Sequence, residues 1–86
     1  MEDKIHLSVV TADGVALDTM VSYVNLPTAA GSVGVLHGHA PMLCALSAGM
    51  VRYSKADGST GEIQVGAGVA NAGGSEVTLL VSETKS

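Results

Sequence analysis

Eighty-six residues suffice for one domain and not for two, and a chain of this size buries only about 60–65 % of the surface its unfolded form exposes. Hydrophobic residues make up 47 % and charged residues only 14 %, against about 25 % charged in an average soluble domain, so some apolar surface must stay exposed and serve a partner. The net charge of −4, the scattered Lys4, Arg52, Lys55 and Lys85, and the lack of aromatic residues beyond Tyr23 and Tyr53 exclude a nucleic-acid binder, which needs a basic footprint and stacking platforms.

The start, MEDKIHL, lacks the basic flank and apolar run of a secretory signal, and no window approaches the roughly 20 apolar residues that span a bilayer, so a soluble or peripheral chain is expected. Ile5, Leu7 and Val9 then alternate with His6, Ser8 and Val10, the period of a half-buried strand. Asp13-Gly14 predicts a hairpin. Met20, Ser22, Val24 and Leu26 alternate with Val21, Tyr23 and Asn25 as a further strand. Residues 31–50, GSVGVLHGHAPMLCALSAGM, are apolar and punctuated by glycine. Met50, Val51, Arg52 and Tyr53 lead into another strand, Asp57-Gly58 into a turn, and Ile63 with Val65 into the next strand. Glycines from Gly66 to Gly74 predict a bulge and a hairpin where backbones approach closely, Gly73-Gly74 being the turn. Val77, Leu79 and Val81 alternate with Thr78 and Leu80 in the last strand, and residues 82–86, SETKS, are expected to fray.

No helical stripe survives three turns, and each of eleven glycines would cost about 1 kcal/mol relative to alanine inside a helix. The expectation is one all-β domain over residues 1–86, a small two-sheet sandwich or flattened barrel of short, mostly antiparallel strands.

His37 and His39 are two apart, and on a strand both would project from one face with Cys44 as a third metal ligand. Gly31 through His39 also fits the start of a cupin motif, whose glutamate is replaced here by Leu43 and Cys44. Histidines in a turn, bonded to backbone or partner, are the better reading, and no metal is expected. A lone cysteine in the run Met42, Leu43, Cys44, Ala45, Leu46 reads as a small buried hydrophobe and forms no internal disulfide, as in a reducing compartment. There is no Gly-x-Ser-x-Gly elbow, GAGVANAGG puts Asn71 where a dinucleotide fingerprint needs its third glycine, and no phosphate-loop lysine follows. Asp18 and Glu62 are too far apart in sequence to predict a carboxylate pair. Neither a catalytic residue nor a cofactor is expected.

Gly31, Val33, Gly34, Val35, Gly38, His39, Ala40, Pro41, Met42, Leu43, Leu46, Gly49, Met50 and Val51 fall in an order that resembles the N-terminal β-sandwich of the epsilon subunit of F-type ATP synthases. LSVVTADGVALD is similar to that family's first hairpin, VSYVNLP to its third strand, and GEIQVGAGVANAGGSEVTLLVSE to its closing meander, so the resemblance covers nearly the whole chain.

The resemblance implies a non-catalytic rotor part of the central stalk. Such a subunit bridges the gamma subunit and the c-ring and couples proton-driven rotation to ATP synthesis. It would lie peripherally on the cytoplasmic face of the bacterial plasma membrane, within the catalytic sector, with no small-molecule substrate. Carried over by position, His39, Met42 and Cys44 face gamma, and Ala30, Gly31 and Ser32 form the loop that meets the c-ring. Gly34, Gly38, Pro41 and Gly49 are the motif glycines and proline. That loop is commonly acidic in the family and reads TAAGS here, so a hydrogen bond or packing contact would replace an ion pair. Family members usually continue into a two-helix C-terminal domain; with Ser86 as the last residue, neither inhibition by helix insertion nor nucleotide binding is expected. The alternatives are a cupin-like metal-binding protein and a β-sandwich module for another partner.

Overall fold

A computed structural model describes residues 4–85, which form strands and turns and no helix. β1 (Ile5–Thr11) fully buries Ile5, Leu7 and Val9 and leaves His6, Ser8 and Val10 half-buried on the opposite side, as a period of two requires. It turns back into β2 (Gly14–Val21), with Thr11 paired to Gly14. The turn therefore centres on Ala12 and Asp13, one residue earlier than the Asp13-Gly14 signal suggests, because Gly14 alone takes the left-handed backbone, at φ 122°. The Thr11 hydroxyl accepts the Asp13 N–H at 3.1 Å. The same construction closes the next hairpin, where Thr28 accepts the Ala30 N–H at 3.2 Å and donates to the Gly31 carbonyl. TADG and TAAG are thus one turn used twice.

The alternation from Met20 to Leu26 does not run as a single strand. The chain bends at Ser22, where β2 gives way to β3 (Tyr23–Thr28), and Val21 and Ser22 are buried in succession. The inward phase flips there, which leaves Met20 44 % exposed. Ser22 holds the bend by donating both its N–H and its hydroxyl to the Ser54 carbonyl, at 2.8 and 3.0 Å.

The remaining strands are β4 (Gly31–Leu36), β5 (His39–Leu46), β6 (Gly49–Ser54), β7 (Thr60–Val65), β8 (Gly68–Gly74), β9 (Glu76–Val81) and β10 (Thr84–Lys85). They sort into one layer ordered β4-β3-β6-β7-β10 and a second ordered β5-β8-β9-β1-β2, continuous where Thr28 pairs with Leu46. Every pairing is antiparallel except that of β1 with β9. This is the expected flattened barrel. The tail departs from expectation: Ser82 N–H donates to the Ala67 carbonyl, Gly66 N–H donates to that of Glu83, and Thr84 and Lys85 pair with Val65 and Gln64. The edge of β7 offers free backbone groups there, and the chain takes them up; Ser86 lies outside the described residues.

The core is aliphatic, built from Ile5, Leu7, Val9, Val21, Val24, Leu26, Val35, Leu46, Val51, Ile63, Val65, Val77, Leu79 and Val81, with Ala70 and Ala72 from β8. Glycine is required at Gly68, where a Cβ would fall on the Leu80 carbonyl oxygen and 2.8 Å from the Val81 Cα. Backbone cannot step aside there, so Gly68→Ala destabilises the domain by about 1–3 kcal/mol. Gly73→Ala, whose Cβ meets nothing nearer than Pro41 at 3.6 Å, stays within about 0.5 kcal/mol of the parent. Urea unfolding of the two variants checks both values.

Candidate docking faces

The two layers present different outer faces. Across β5, β8, β9, β1 and β2 the pairing sets Ala45 beside Val69, Val69 beside Leu80, Leu80 beside Val10, and Val10 beside Val15. An unbroken apolar row therefore crosses the whole layer on its solvent side. Val15 is 63 %, Leu80 55 % and Val69 42 % exposed, and Leu43, two residues along β5 from Ala45, is 72 % exposed. A contiguous apolar patch of this kind marks a docking surface.

The two rows beyond it are polar at their centres. Leu43, Asn71, Thr78, Ser8 and Asp18 form one, and Gly73, Glu76, His6 and Met20 the next. In these rows His6 sits between two carboxylates, its Nε2 against Asp18 Oδ1 and its Nδ1 3.5 Å from Glu76 Oε1. The hydrogen bond to Asp18 raises the imidazole pKa above its ordinary value, with Glu76 adding to the effect.

The outer face of the other layer carries Tyr23, Asn25, Arg52, Ser54, Thr60 and Glu62, with the Arg52 Nε donating to Glu62 Oε2 at 3.2 Å. A shallow groove of about 350 Å3 lies among Tyr23, Arg52, Ser54, Thr60 and Glu62. Asp18 and Glu62 stand on strands of different layers and form no pair.

The motif residues are explained by packing. Gly34 leaves room for the Tyr23 ring, whose hydroxyl oxygen would lie 2.5 Å from a Cβ there, and Gly49 lies so close to Pro27 that a Cβ there would stand 3.0 Å from the proline Cβ. Gly38 takes φ 82° in the turn between β4 and β5. Pro41 occupies the register shift between His39 and Met42, where the ladder needs no N–H from it.

His37 lies in that turn and His39 opens β5 after it, so the two histidines flank a glycine corner and do not share a strand face. The His39 Nδ1 donates to the Ala40 carbonyl at 2.6 Å. Among the described residues no three groups converge as metal ligands. Met42 and Cys44 stand on the inward row of β5, half-buried against the core. Ala30, Gly31 and Ser32 are all exposed, at the β3–β4 turn and the start of β4.

The described residues thus form a β-sandwich with an apolar row across one outer face. The chain belongs to the ATP synthase delta/epsilon chain family, whose β-sandwich domain it matches over residues 4–86. It is 39 % identical over 85 residues to the ATP synthase epsilon chain of Nitratidesulfovibrio vulgaris strain DP4, covering 99 % of this chain and 63 % of that one. To the epsilon chain of Priestia megaterium it is 41 % identical over 76 residues, covering 88 % and 56 %. The chain thus spans less than two thirds of the length of these relatives. Its fold is similar to a chain of the Euglena gracilis mitochondrial ATP synthase OSCP/F1/c-ring assembly, with a TM-score of 0.89 at 22 % identity over 99 % of this chain and 54 % of that one. A chain of the Tetrahymena thermophila mitochondrial ATP synthase central stalk/c-ring matches with a TM-score of 0.76 at 13 % identity, covering 98 % and 67 %.

The opposite orientations of Met42 and Leu43 are directly measurable. Met42→Glu, which drives a charge toward the core, lowers stability by about 1–3 kcal/mol, whereas Leu43→Glu stays within about 0.5 kcal/mol. Denaturant unfolding of the two variants reads the difference.

Proposed function

We propose that this chain is a non-catalytic rotor component of an F-type ATP synthase, docking through its β5-β8-β9-β1-β2 face onto the gamma subunit and through the β3–β4 turn onto the c-ring. The observation that carries the reading is the apolar row from Ala45 to Val15 on a domain of the epsilon-chain family. A chain with so few charges gains stability when such a face is covered. In this reading His39 and Leu43 meet gamma, while Met42 and Cys44 support β5 from beneath and add their exposed edges. Ala30, Gly31 and Ser32 present an uncharged turn to the ring, where backbone hydrogen bonds and close packing replace an ion pair. Rotation driven by proton flow would pass through both contacts to the catalytic subunits, and the chain itself performs no chemistry. Its place is peripheral, on the cytoplasmic face of the bacterial plasma membrane.

Affinity capture with the tagged chain from a cell extract that contains the assembled synthase tests the reading. Recovery of gamma and c-ring subunits is expected, and a different stable partner in their absence would count against it. With purified gamma, Leu43→Glu and Leu80→Glu each weaken association by at least about tenfold, and Glu62→Gln on the opposite face leaves it unchanged.

A further inference from the structure

His6 lies in the second row out from the apolar row, and its surroundings suit one protonation state. Its Nε2 meets Asp18 of β2 and its Nδ1 meets Glu76 of β9, so each ring nitrogen faces a carboxylate on a different neighbouring strand. A neutral imidazole has one N–H and one lone pair, and would turn that lone pair against an anion; an imidazolium donates to both. The Ser8 hydroxyl, 3.4 Å from Nε2, is uncharged and adapts to either form. Along the chain the nearest charged residue described is Lys4, which precedes β1, and β2 and β9 bring no titratable group to it other than Asp18 and Glu76.

We propose that His6, Asp18 and Glu76 form a proton-operated clasp, closed when the imidazole is charged, that ties β2, β1 and β9 together and tunes the docking face beside them to pH. The clasp joins the three strands that carry Val15, Val10 and Leu80, so it fixes the spacing of the apolar row. It also sets the charge of the face: one imidazolium stands between the two carboxylates when His6 is protonated, and they lose that cation when it is not. Covering that face with a partner costs less in the first case. The link to docking rests on the function proposed above; the clasp itself does not.

Folding raises the affinity of His6 for its proton, so the stabilisation is complete below the ordinary histidine pKa of 6.5 and is lost as pH rises through the raised folded value. Thermal unfolding of the chain between about pH 6 and about pH 9, with the ring signals of His6 followed by NMR, tests it. The expected results are a His6 titration above its ordinary value and a midpoint that falls across that titration. His6→Gln and, independently, the conservative Asp18→Asn should flatten the fall, whereas His37→Gln and His39→Gln should preserve it. A His6 that titrates at or below its ordinary value, or a fall that persists in both clasp variants, would overturn the clasp. Binding of purified gamma over the same pH range should weaken as pH rises in the parent chain and not in His6→Gln. Binding independent of pH in the parent would overturn the link to docking. No binding at any pH beside an intact midpoint fall would overturn the gamma assignment and leave the clasp standing.

Discussion

The fold depends on the closure of two inward aliphatic rows against each other. No tryptophan or phenylalanine is present to fill the space, and Tyr53 only borders the core from its half-buried position over Gly61. Valine, leucine and isoleucine at every second position must do the work, and branched side chains suit a pleated surface. Small residues complete the packing on β8: Ala70 and Ala72 lie in the core, and Gly68 stands against the neighbouring β9, where no side chain fits under the Leu80 carbonyl. A thin core of this kind leaves the domain marginal by itself and gives it reason to bind.

Once the inward rows are fixed, strand pairing determines the outer faces. The same registers that bury Val9 against Leu17 and Leu79 against Ala70 set Val10, Leu80 and Val69 side by side in solvent. The β-bulge between Val9 and Val10 keeps this row intact, because the extra residue on β2 brings Val15 opposite Val10. The other layer pairs Arg52 with Glu62 among hydroxyls and amides, with Leu36 the large apolar side chain it exposes on β4. The asymmetry of the two faces is what makes the molecule directional, and the His6 cluster lies on the face that has something to regulate.

Much of the architecture was legible in the sequence because alternation is a backbone property. Ile5, Leu7 and Val9 point inward as their spacing predicts, and the close backbone approach expected among the glycines of residues 66–74 is realised at Gly68. Phase breaks were harder to see. Ser22 carries no bulk or charge that announces a bend, and its part is played by a hydrogen bond to Ser54, far along the chain. The outer row was hidden for a related reason: Val10, Val15, Ala45, Val69 and Leu80 are scattered in sequence and meet only through four strand registers. His6 and Asp18 could have been brought together by counting back from the first hairpin turn, but the bulge shifts that count by one, and Glu76 arrives only through the parallel pairing with β9. His37 and His39, conspicuous in sequence, are separated by the left-handed Gly38.

The central claim, that the apolar face of the β5-β8-β9-β1-β2 layer is the one a rotor partner covers, is tested most directly by methyl NMR of the chain titrated with purified gamma subunit. The account predicts shifts or broadening at Val10, Val15, Leu43, Val69 and Leu80, with Leu36 and Met50 on the opposite layer unaffected. Changes confined to Leu36 and Met50, with the apolar row unmoved, would contradict it.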